Sequence, residues 1–233
     1  PDSPRGARMD RFLASLGEEP TADHARTLAT LALEDLADYV AVAFDPEFSL
    51  VRYAESIASS VRDFAIVESA LSRPTVDLFL RPYFAELCAG LAEDARSRRA
   101  GKPGGSDADR TLFCVSVPFP GCLVGALCLA REIRAAFGSR AVISVGGGYV
   151  NTELRNCDNG RFFSFIDHLS LDRGYGGYAG FFLREWGASG GEAGASSVPL
   201  LVECPPGLRD LEDAYTARLV PDYRDIDFSL YPR

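Results

Sequence analysis

Three glycine-bearing segments each follow a short apolar run, and they carry the residues best suited to bind a small molecule. They span residues 116–121, 146–151 and 172–177. Glycine lets a backbone approach a ligand without a Cβ in the way, and backbone N–H groups at the start of a following helix favour an anion or a phosphate ester. We therefore take the following as candidate binding residues, and we identify no catalytic or metal-ligating residue: Ser116, Pro118, Phe119, Gly121, Gly146, Gly147, Gly148, Tyr149, Asp172, Arg173 and Gly174.

Each of these segments also has a purely structural interpretation. Three glycines at 146–148 are typical of a flexible turn, and the run Asp-Arg-Gly at 172–174 is typical of a surface turn with an internal ion pair. Pro118 and Pro120 are typical of a loop in which prolines serve only to fix the shape. A dinucleotide site is disfavoured, because the run Gly-Gly-Gly-Tyr is not G-x-G-x-x-G. His168 stands inside an apolar run, where a core histidine is expected more often than a ligand.

The elements that would position these segments form a βαβ unit. Residues 111–117 and 140–145 are apolar, β-rich runs, and an amphipathic helical pattern lies between them at 123–137. Further strands are predicted at 167–171 and, at the edge of the sheet, at 198–203. Strands that are apolar throughout are typical of a parallel sheet covered on both faces. Since ligands bind beyond the carboxyl ends of such strands, we expect the three segments along one edge of the sheet.

The first hundred residues show a different, helical pattern. After a polar arm at 1–22, apolar residues recur at three- and four-residue steps over 24–44, 48–71 and 76–98, with Asp23 as the predicted N-cap of the first helix. A stretch rich in Gly, Pro, Ser and Asp follows at 100–110. We therefore predict an α/β protein with a helical region at 1–105, a Rossmann-like parallel sheet with flanking helices at 106–218 and a tail at 219–233. Shorter helices are predicted near 161–165, 178–186 and 208–218, a polar stretch at 149–159, a glycine turn at 172–177 and a loop at 187–197.

Composition narrows the class of protein. The chain has 233 residues, 47% of them hydrophobic, which is enough for a core. Its 24 basic and 33 acidic residues give a net charge of −9, which disfavours nucleic acid as a partner. No apolar run is long enough for a membrane span, and residues 1–10 lack the apolar stretch of a signal peptide. Six cysteines without a C-x-x-C pair favour reduced thiols in a cytoplasmic protein, and two histidines exclude a His-rich metal site.

One stretch of the sequence resembles a known family. A strand ending in Val115-Ser-Val117, an Ala/Leu-rich helix and the run AVISVGGGYVNTELR at 141–155 resemble the amino-terminal cobalamin-binding domain of B12-dependent radical SAM proteins, which are Fe–S oxidoreductases. The run FIDHLSLDRG at 165–174 resembles the next strand and glycine-containing turn of that family. Residues 221–231 resemble, more loosely, the linker that leads to the radical SAM barrel. The likeness covers roughly residues 110–180 and is most specific at 146–154.

The resemblance implies a Rossmann-like module in which the three candidate segments border the nucleotide tail or corrin face of cobalamin. It also implies a carboxyl-terminal radical SAM barrel in the same polypeptide as the partner, since S-adenosylmethionine and the [4Fe–4S] cluster belong to that barrel. This chain has no C-x-x-x-C-x-x-C to hold the cluster and no D-x-H-x-x-G to supply a histidine to cobalt, and Tyr175 stands where the family has an acidic residue.

Three hypotheses of function follow. The first is a cofactor-binding, non-catalytic module of a radical SAM enzyme, in which the chain is an amino-terminal fragment or a relative without the barrel. The second is a protein-interaction module with a Rossmann-like shape that has lost its ligand, which the acidic charge and the helical first hundred residues favour. The third is a small enzyme that uses Asp172 or Glu153 as an acid–base group.

Overall fold

Four parallel strands form the sheet, in the spatial order β1-β2-β3-β4. A computed structural model describes residues 6–17, 19, 21–46, 48, 64–100, 110–182, 201–220, 222–224, 226, 227 and 229. The strands are β1 (Thr111–Ser116), β2 (Ala141–Gly146), β3 (His168–Ser170) and β4 (Leu201–Val202). The predicted α/β class, a parallel sheet flanked by helices, is confirmed and is consistent with a Rossmann-like fold.

Helices precede the sheet and connect its strands. They are α1 (Gly6–Ser15), α2 (Ala22–Ala43), α3 (Phe64–Ala70), α4 (Arg81–Ala100), α5 (Leu123–Phe137), α6 (Gly148–Thr152), α7 (Tyr175–Phe181) and α8 (Arg209–Thr216). A π-helical turn, Val76–Leu80, leads into α4, and short 3₁₀ turns lie at Pro120–Cys122, Gly138–Arg140, Phe162–Ser164 and Pro206–Leu208.

One face of the sheet carries most of the core. Because α5 has buried apolar residues at Leu123, Leu127, Ala130 and Ile133, one side of the helix packs against the sheet. Helices α3 and α4 add residues to the same core, among them Phe64, Cys88 and Ala92. The helices at 64–100 therefore share one hydrophobic core with the strands that follow them.

Helix α7 covers part of the opposite face. Its Phe181 packs in a small cluster with Val142 of β2 and Val202 of β4, and Tyr178 and Leu112 lie against that cluster. Successive residues of a strand point to opposite faces, so Val142 and Ile143 contribute to different cores. Both faces of β2 are thus buried, which explains why its sequence is apolar apart from Ser144.

Several local expectations are wrong. Residues 6–15 form helix α1 within the expected polar arm, and α1 packs on α2. Helix α2 is capped by Thr21 and not Asp23, because the Thr21 hydroxyl accepts from the His24 amide while the His24 ring accepts from the Thr21 amide. The polar stretch at 149–159 begins with α6, and α7 starts at Tyr175, inside the expected glycine turn.

Three of the predictions fall largely on residues outside the described part of the chain. They are the middle of the helical pattern at 48–71, of which 49–63 are not described, the stretch at 101–109, and the loop at 187–197. The predicted strand at 198–203 is described from residue 201 onward, where β4 occupies two residues.

Candidate functional site

The carboxyl ends of the strands bring the three glycine-bearing segments to one edge of the sheet. The β1–β2 pairing runs in register from Thr111 opposite Ala141 to Ser116 opposite Gly146. Strand β3 pairs with β2 and is parallel to it, so its last residue, Ser170, points to the same edge. The predicted juxtaposition of these three segments is confirmed, and we call this edge the carboxyl rim.

The first two segments of the carboxyl rim pack directly on each other. The Val117 amide donates to the Gly146 carbonyl at 2.7 Å, and the Tyr149 amide donates to the Val117 carbonyl at 3.2 Å. A Cβ on Gly147 would lie 2.7 Å from the Val117 oxygen, and a Cβ on Gly148 would lie 3.0 Å from the Pro118 oxygen. Gly147 is therefore required by the approach of two chain segments, independent of any ligand, and Gly148 lies in tight contact with the same segment.

The second and third segments are joined by polar side chains. Asn151 of α6 hydrogen-bonds both backbone groups of Asp172, and Arg155 forms an ion pair with the Asp172 carboxylate. Asp172 has φ of +60°, the left-handed region that side chains rarely adopt. Asn151 and Arg155 were not among the predicted site residues, although both stand in the stretch that carries the family resemblance. Their signal in the sequence is their spacing of four, which places both on one side of the chain if it is helical.

Helix α8 closes over the third segment. Arg173 forms an ion pair with Asp213 and donates to the Thr216 hydroxyl at 2.8 Å. The buried Glu212 carboxylate accepts from the Gly176 amide at 2.9 Å. Backbone amides at the start of a following helix were expected to favour an anion, and here the chain's own carboxylate accepts from one of them.

A cleft of about 350 Å³ lies between the third segment and α8. Its lining residues are Asp172, Arg173, Cys204, Arg209, Glu212 and Asp213. Three carboxylates face two guanidinium groups there, so the cleft has no excess positive charge to attract a phosphate. Burial and the neighbouring Glu212 carboxylate raise the pKa of the Cys204 thiol, which disfavours the reactive thiolate form. The sequence analysis identified none of the α8 residues as part of the site.

A strip of β1 remains uncovered beside α7. Side chains of a strand point alternately to its two faces. Those of β1 that point to the face covered farther along the sheet by α7 are Leu112, Cys114 and Ser116. Cys114 and Ser116 are exposed, whereas Ser144 on the neighbouring strand is buried and accepts a hydrogen bond from the Tyr178 hydroxyl at 2.9 Å. Burial raises the pKa of Tyr178, so this hydroxyl stays protonated and available as a donor at neutral pH. We call the exposed surface of Cys114 and Ser116 the β1 strip.

The candidate binding residues differ in accessibility. The exposed ones are Ser116, Pro118, Phe119, Gly121, Gly148, Asp172 and Arg173, the half-buried ones Gly146 and Gly147, and the buried ones Tyr149 and Gly174. The Tyr149 ring packs in the main core, where burial, Glu153 and Cys157 raise the pKa of its hydroxyl to about 12. The Tyr149 side chain is therefore directed away from the surface that a ligand at the rim would reach.

The remaining candidates lie elsewhere or are already paired. His168 is 2% exposed at the amino end of β3, with its ring 5.2 Å from that of Phe181, so the expectation of a core histidine is confirmed. Asp172 is held by Arg155, and Glu153 is exposed at the end of α6. Within the described ranges, no group of three or more His, Cys, Asp or Glu side chains is arranged to hold a metal ion.

Two further results describe the chain as a whole. Among the helices of the described residues, none is both long enough and apolar enough to cross a membrane. Comparison with protein-family models, with curated proteins and with solved structures finds no match. The proposals below therefore depend on the sequence resemblance and on the geometry of the carboxyl rim.

Proposed function

We propose that this chain is a cofactor-binding module of the cobalamin type, which holds its ligand at the carboxyl rim and along the β1 strip. The main supporting observation is that three loops at the ends of adjacent parallel strands meet at one edge, where binding sites of open parallel sheets lie. The same three loops carry the family resemblance. In this proposal the module is not catalytic by itself, and a radical SAM barrel of the same polypeptide supplies the reaction.

The exposed residues fit an elongated, partly polar ligand. Ser116 offers a hydroxyl on the β1 strip, and Phe119 offers an exposed ring. The consecutive residues Asp172 and Arg173 lie across the rim. His168 lies at the opposite edge, so the chain offers cobalt no ligand from this histidine. Cobalamin would supply the cobalt chemistry, while Ser116 and Phe119 would bind and orient its periphery.

The iron–sulfur part of the resemblance does not fit this chain. The cysteines at 88, 114, 122, 128, 157 and 204 include no C-x-x-x-C-x-x-C, the spacing that would hold a [4Fe–4S] cluster with one iron open to S-adenosylmethionine. Cys88 and Cys128 are buried in the main core, whereas Cys204 is buried beside Gly176. The proposal therefore assigns no step of radical chemistry to these residues.

Hydroxocobalamin binding tests the proposal directly. We expect the purified chain to retain the visible absorption of hydroxocobalamin after desalting, and Ser116→Trp to weaken binding at least tenfold by filling the β1 strip. Ser139→Trp is the matched control, because Ser139 is also exposed but lies at the amino-end side of the sheet. A colourless wild type after desalting, or equal binding by Ser116→Trp and Ser139→Trp, would contradict the proposal.

A second function, protein interaction, is favoured by a different surface. Phe79, Tyr83, Leu87 and Leu91 follow one another at four-residue spacing and are 61%, 62%, 42% and 41% exposed. An exposed apolar stripe of this kind is typical of a surface that another protein covers. Removing residues 1–100 is not a clean test of this function, because Phe64, Cys88 and Ala92 belong to the core that the sheet needs.

Self-association through the apolar stripe is measurable in the intact chain. We expect sedimentation velocity at increasing concentration to show association that Tyr83→Ser abolishes and that Glu86→Ser, an exposed position on the same helix, leaves unchanged. Sedimentation as a monomer at all concentrations, or the same behaviour in both variants, would rule out the stripe as a homodimer interface.

A further inference from the structure

The Asn151 side chain connects two loops of the carboxyl rim as a neighbouring strand would. Its Nδ2 donates to the Gly147 carbonyl at 3.1 Å and to the Asp172 carbonyl at 3.3 Å. Its Oδ1 accepts from the Asp172 amide at 2.7 Å and from the Arg155 guanidinium at 3.2 Å. One carboxamide therefore binds both backbone groups of Asp172 and, at the same time, the loop that follows β2.

Asp172 is in a conformation that needs such support. Its φ of +60° is the only positive φ of a non-glycine residue in the described part of the chain. A side chain in this region crowds the following carbonyl, so the conformation persists only where surrounding contacts favour it. The Asn151 carboxamide, on α6, and the Arg155 guanidinium, three residues after α6 ends, provide those contacts, and the next residue, Arg173, is thereby directed toward Asp213.

The chemistry of the carboxamide explains why asparagine suits this position. The group presents a donor to two carbonyls and an acceptor to an amide and a guanidinium. An aspartate of the same shape keeps the acceptor but turns a second negative oxygen toward the two carbonyls. An alanine removes all four hydrogen bonds and leaves the Asp172 amide without its partner.

We propose that Asn151 is the positioning residue of the carboxyl rim, which sets the conformation of the loop at 172–174 and thereby the affinity of the rim for its ligand. The inference rests on the proposed function for the affinity, but not for the conformation of the loop. Asn151 acts through Asp172, so it is not itself a group that must contact the ligand.

Hydrogen exchange of the Asp172 amide, followed by NMR in the intact chain, tests the first half of the proposal. We expect exchange at least tenfold faster in Asn151→Ala and in Asn151→Asp than in Thr152→Ala. Thr152 is a matched control, because it is exposed on the same helix and its hydroxyl bonds only within that helix. Unchanged exchange of the Asp172 amide in Asn151→Ala would overturn the proposal. Asn151→Asp preserves the shape of the side chain, so this variant separates the loss of the hydrogen-bond donor from a general packing defect.

Hydroxocobalamin titration tests the second half. We expect Asn151→Ala to bind about tenfold more weakly than Thr152→Ala, the size of effect that losing one or two net hydrogen bonds produces. Equal affinities of these two variants, with faster exchange at Asp172, would show that the ligand does not depend on this loop and would overturn the affinity claim. If the wild type does not bind hydroxocobalamin, the proposed function and the affinity claim both fail, and the exchange result alone decides whether Asn151 sets the loop.

Discussion

Substituting Gly147 by alanine tests whether the carboxyl rim has the geometry described here. Gly147 has φ of +110° and ψ of −177°, a region that only glycine occupies readily. The added methyl group would also meet the Val117 backbone at 2.7 to 2.9 Å. These atoms belong to the main chain, so no side-chain rotation relieves the contact, and the ends of β1 and β2 must separate.

The expected cost has two parts. Forcing an alanine into this backbone region costs about 1–3 kcal/mol. Separating the strand ends also strains the hydrogen bonds from Val117 to Gly146 and from Tyr149 to Val117, each with a net value of about 0.5–1.5 kcal/mol. We therefore expect Gly147→Ala to lower the free energy of unfolding by about 3–4 kcal/mol, a large part of the total for an ordinary domain.

Two other glycines separate the contributions. Gly138 has φ of +59° with nothing within 4 Å of an added Cβ, so Gly138→Ala carries the backbone cost alone, about 1–2 kcal/mol. Gly125 lies within α5 with nothing within 4 Å and no positive φ, so Gly125→Ala should stabilise the chain by about 0.5–1 kcal/mol. Both are glycine-to-alanine changes, so they differ from Gly147→Ala only in local geometry.

Urea unfolding followed by far-ultraviolet circular dichroism measures all three variants against the wild type. We expect the midpoints in the order Gly125→Ala, wild type, Gly138→Ala, Gly147→Ala, from the highest urea concentration to the lowest. If Gly147→Ala costs no more than Gly138→Ala, the backbone of residue 147 does not lie against Val117 in solution. The close packing of the first two rim segments would then be refuted.

Substitutions at three further positions test single contacts by the same urea assay. Glu212→Gln keeps an acceptor for the Gly176 amide and should cost less than about 1 kcal/mol, whereas Glu212→Ala should cost about 1–3 kcal/mol; equal midpoints would refute this contact. The buried Tyr149 hydroxyl has no hydrogen-bond partner among the described atoms, so Tyr149→Phe should be neutral or stabilising by about 1 kcal/mol at pH 7. Because the folded pKa of Tyr149, about 12, exceeds the usual value of 10.0, the wild type should lose stability relative to Tyr149→Phe as the pH rises from about 10 to about 12; parallel pH curves would contradict this. Asp167→Ala removes the acceptor of the Ile143 amide, which lies 2.7 Å from the carboxylate, and should lower the free energy of unfolding by about 1–2 kcal/mol more than Asp167→Asn does. We also expect the Ile143 amide to exchange faster in Asp167→Ala. Unchanged exchange of that amide would contradict this contact.

Local periodicity was sufficient to predict the central βαβ unit. The apolar residues of α5 recur at helical spacing between two β-rich runs, and the helix occupies residues 123–137 as predicted. The strand at 111–116 is one residue shorter than predicted, and the strand at 141–146 is shifted by one residue from the predicted 140–145. Because parallel strands end at the same edge, the position of the three loops followed from the strands without knowledge of any side-chain contact.

The helix caps and the short helices could not be predicted in the same way. Thr21 and Asp23 are both good N-cap residues by type, and the choice depends on the His24 ring accepting from the Thr21 amide. Helix α6 is only five residues long, too short to show a periodic pattern, and its place is set by the Tyr149 amide bonding to Val117. A contact within one helical turn, at Thr21, and a contact between distant residues, at Val117, thus decided what local patterns left open.

The same limit applies to the candidate site. A glycine in the sequence does not show whether an added Cβ would meet a ligand, the chain itself or open space. At Gly147 and Gly148 it is the backbone of Val117 and Pro118, about 30 residues earlier in the chain. The carboxylate that takes the Gly176 amide comes from Glu212, on a helix that the local sequence does not connect with this loop.

Because of these contacts, the part of the carboxyl rim that tells most about ligand binding is β1 and not the glycine run at 146–148. The chain itself satisfies the Val117, Tyr149 and Gly176 amides that a phosphate could otherwise have used. The groups exposed at this edge include a hydroxyl, on Ser116, and a ring, on Phe119. A ligand that binds there must therefore gain its affinity from surface contact along the β1 strip more than from an anion held by backbone amides. For this reason a bulky residue at 116 should weaken binding more than an alanine at 148.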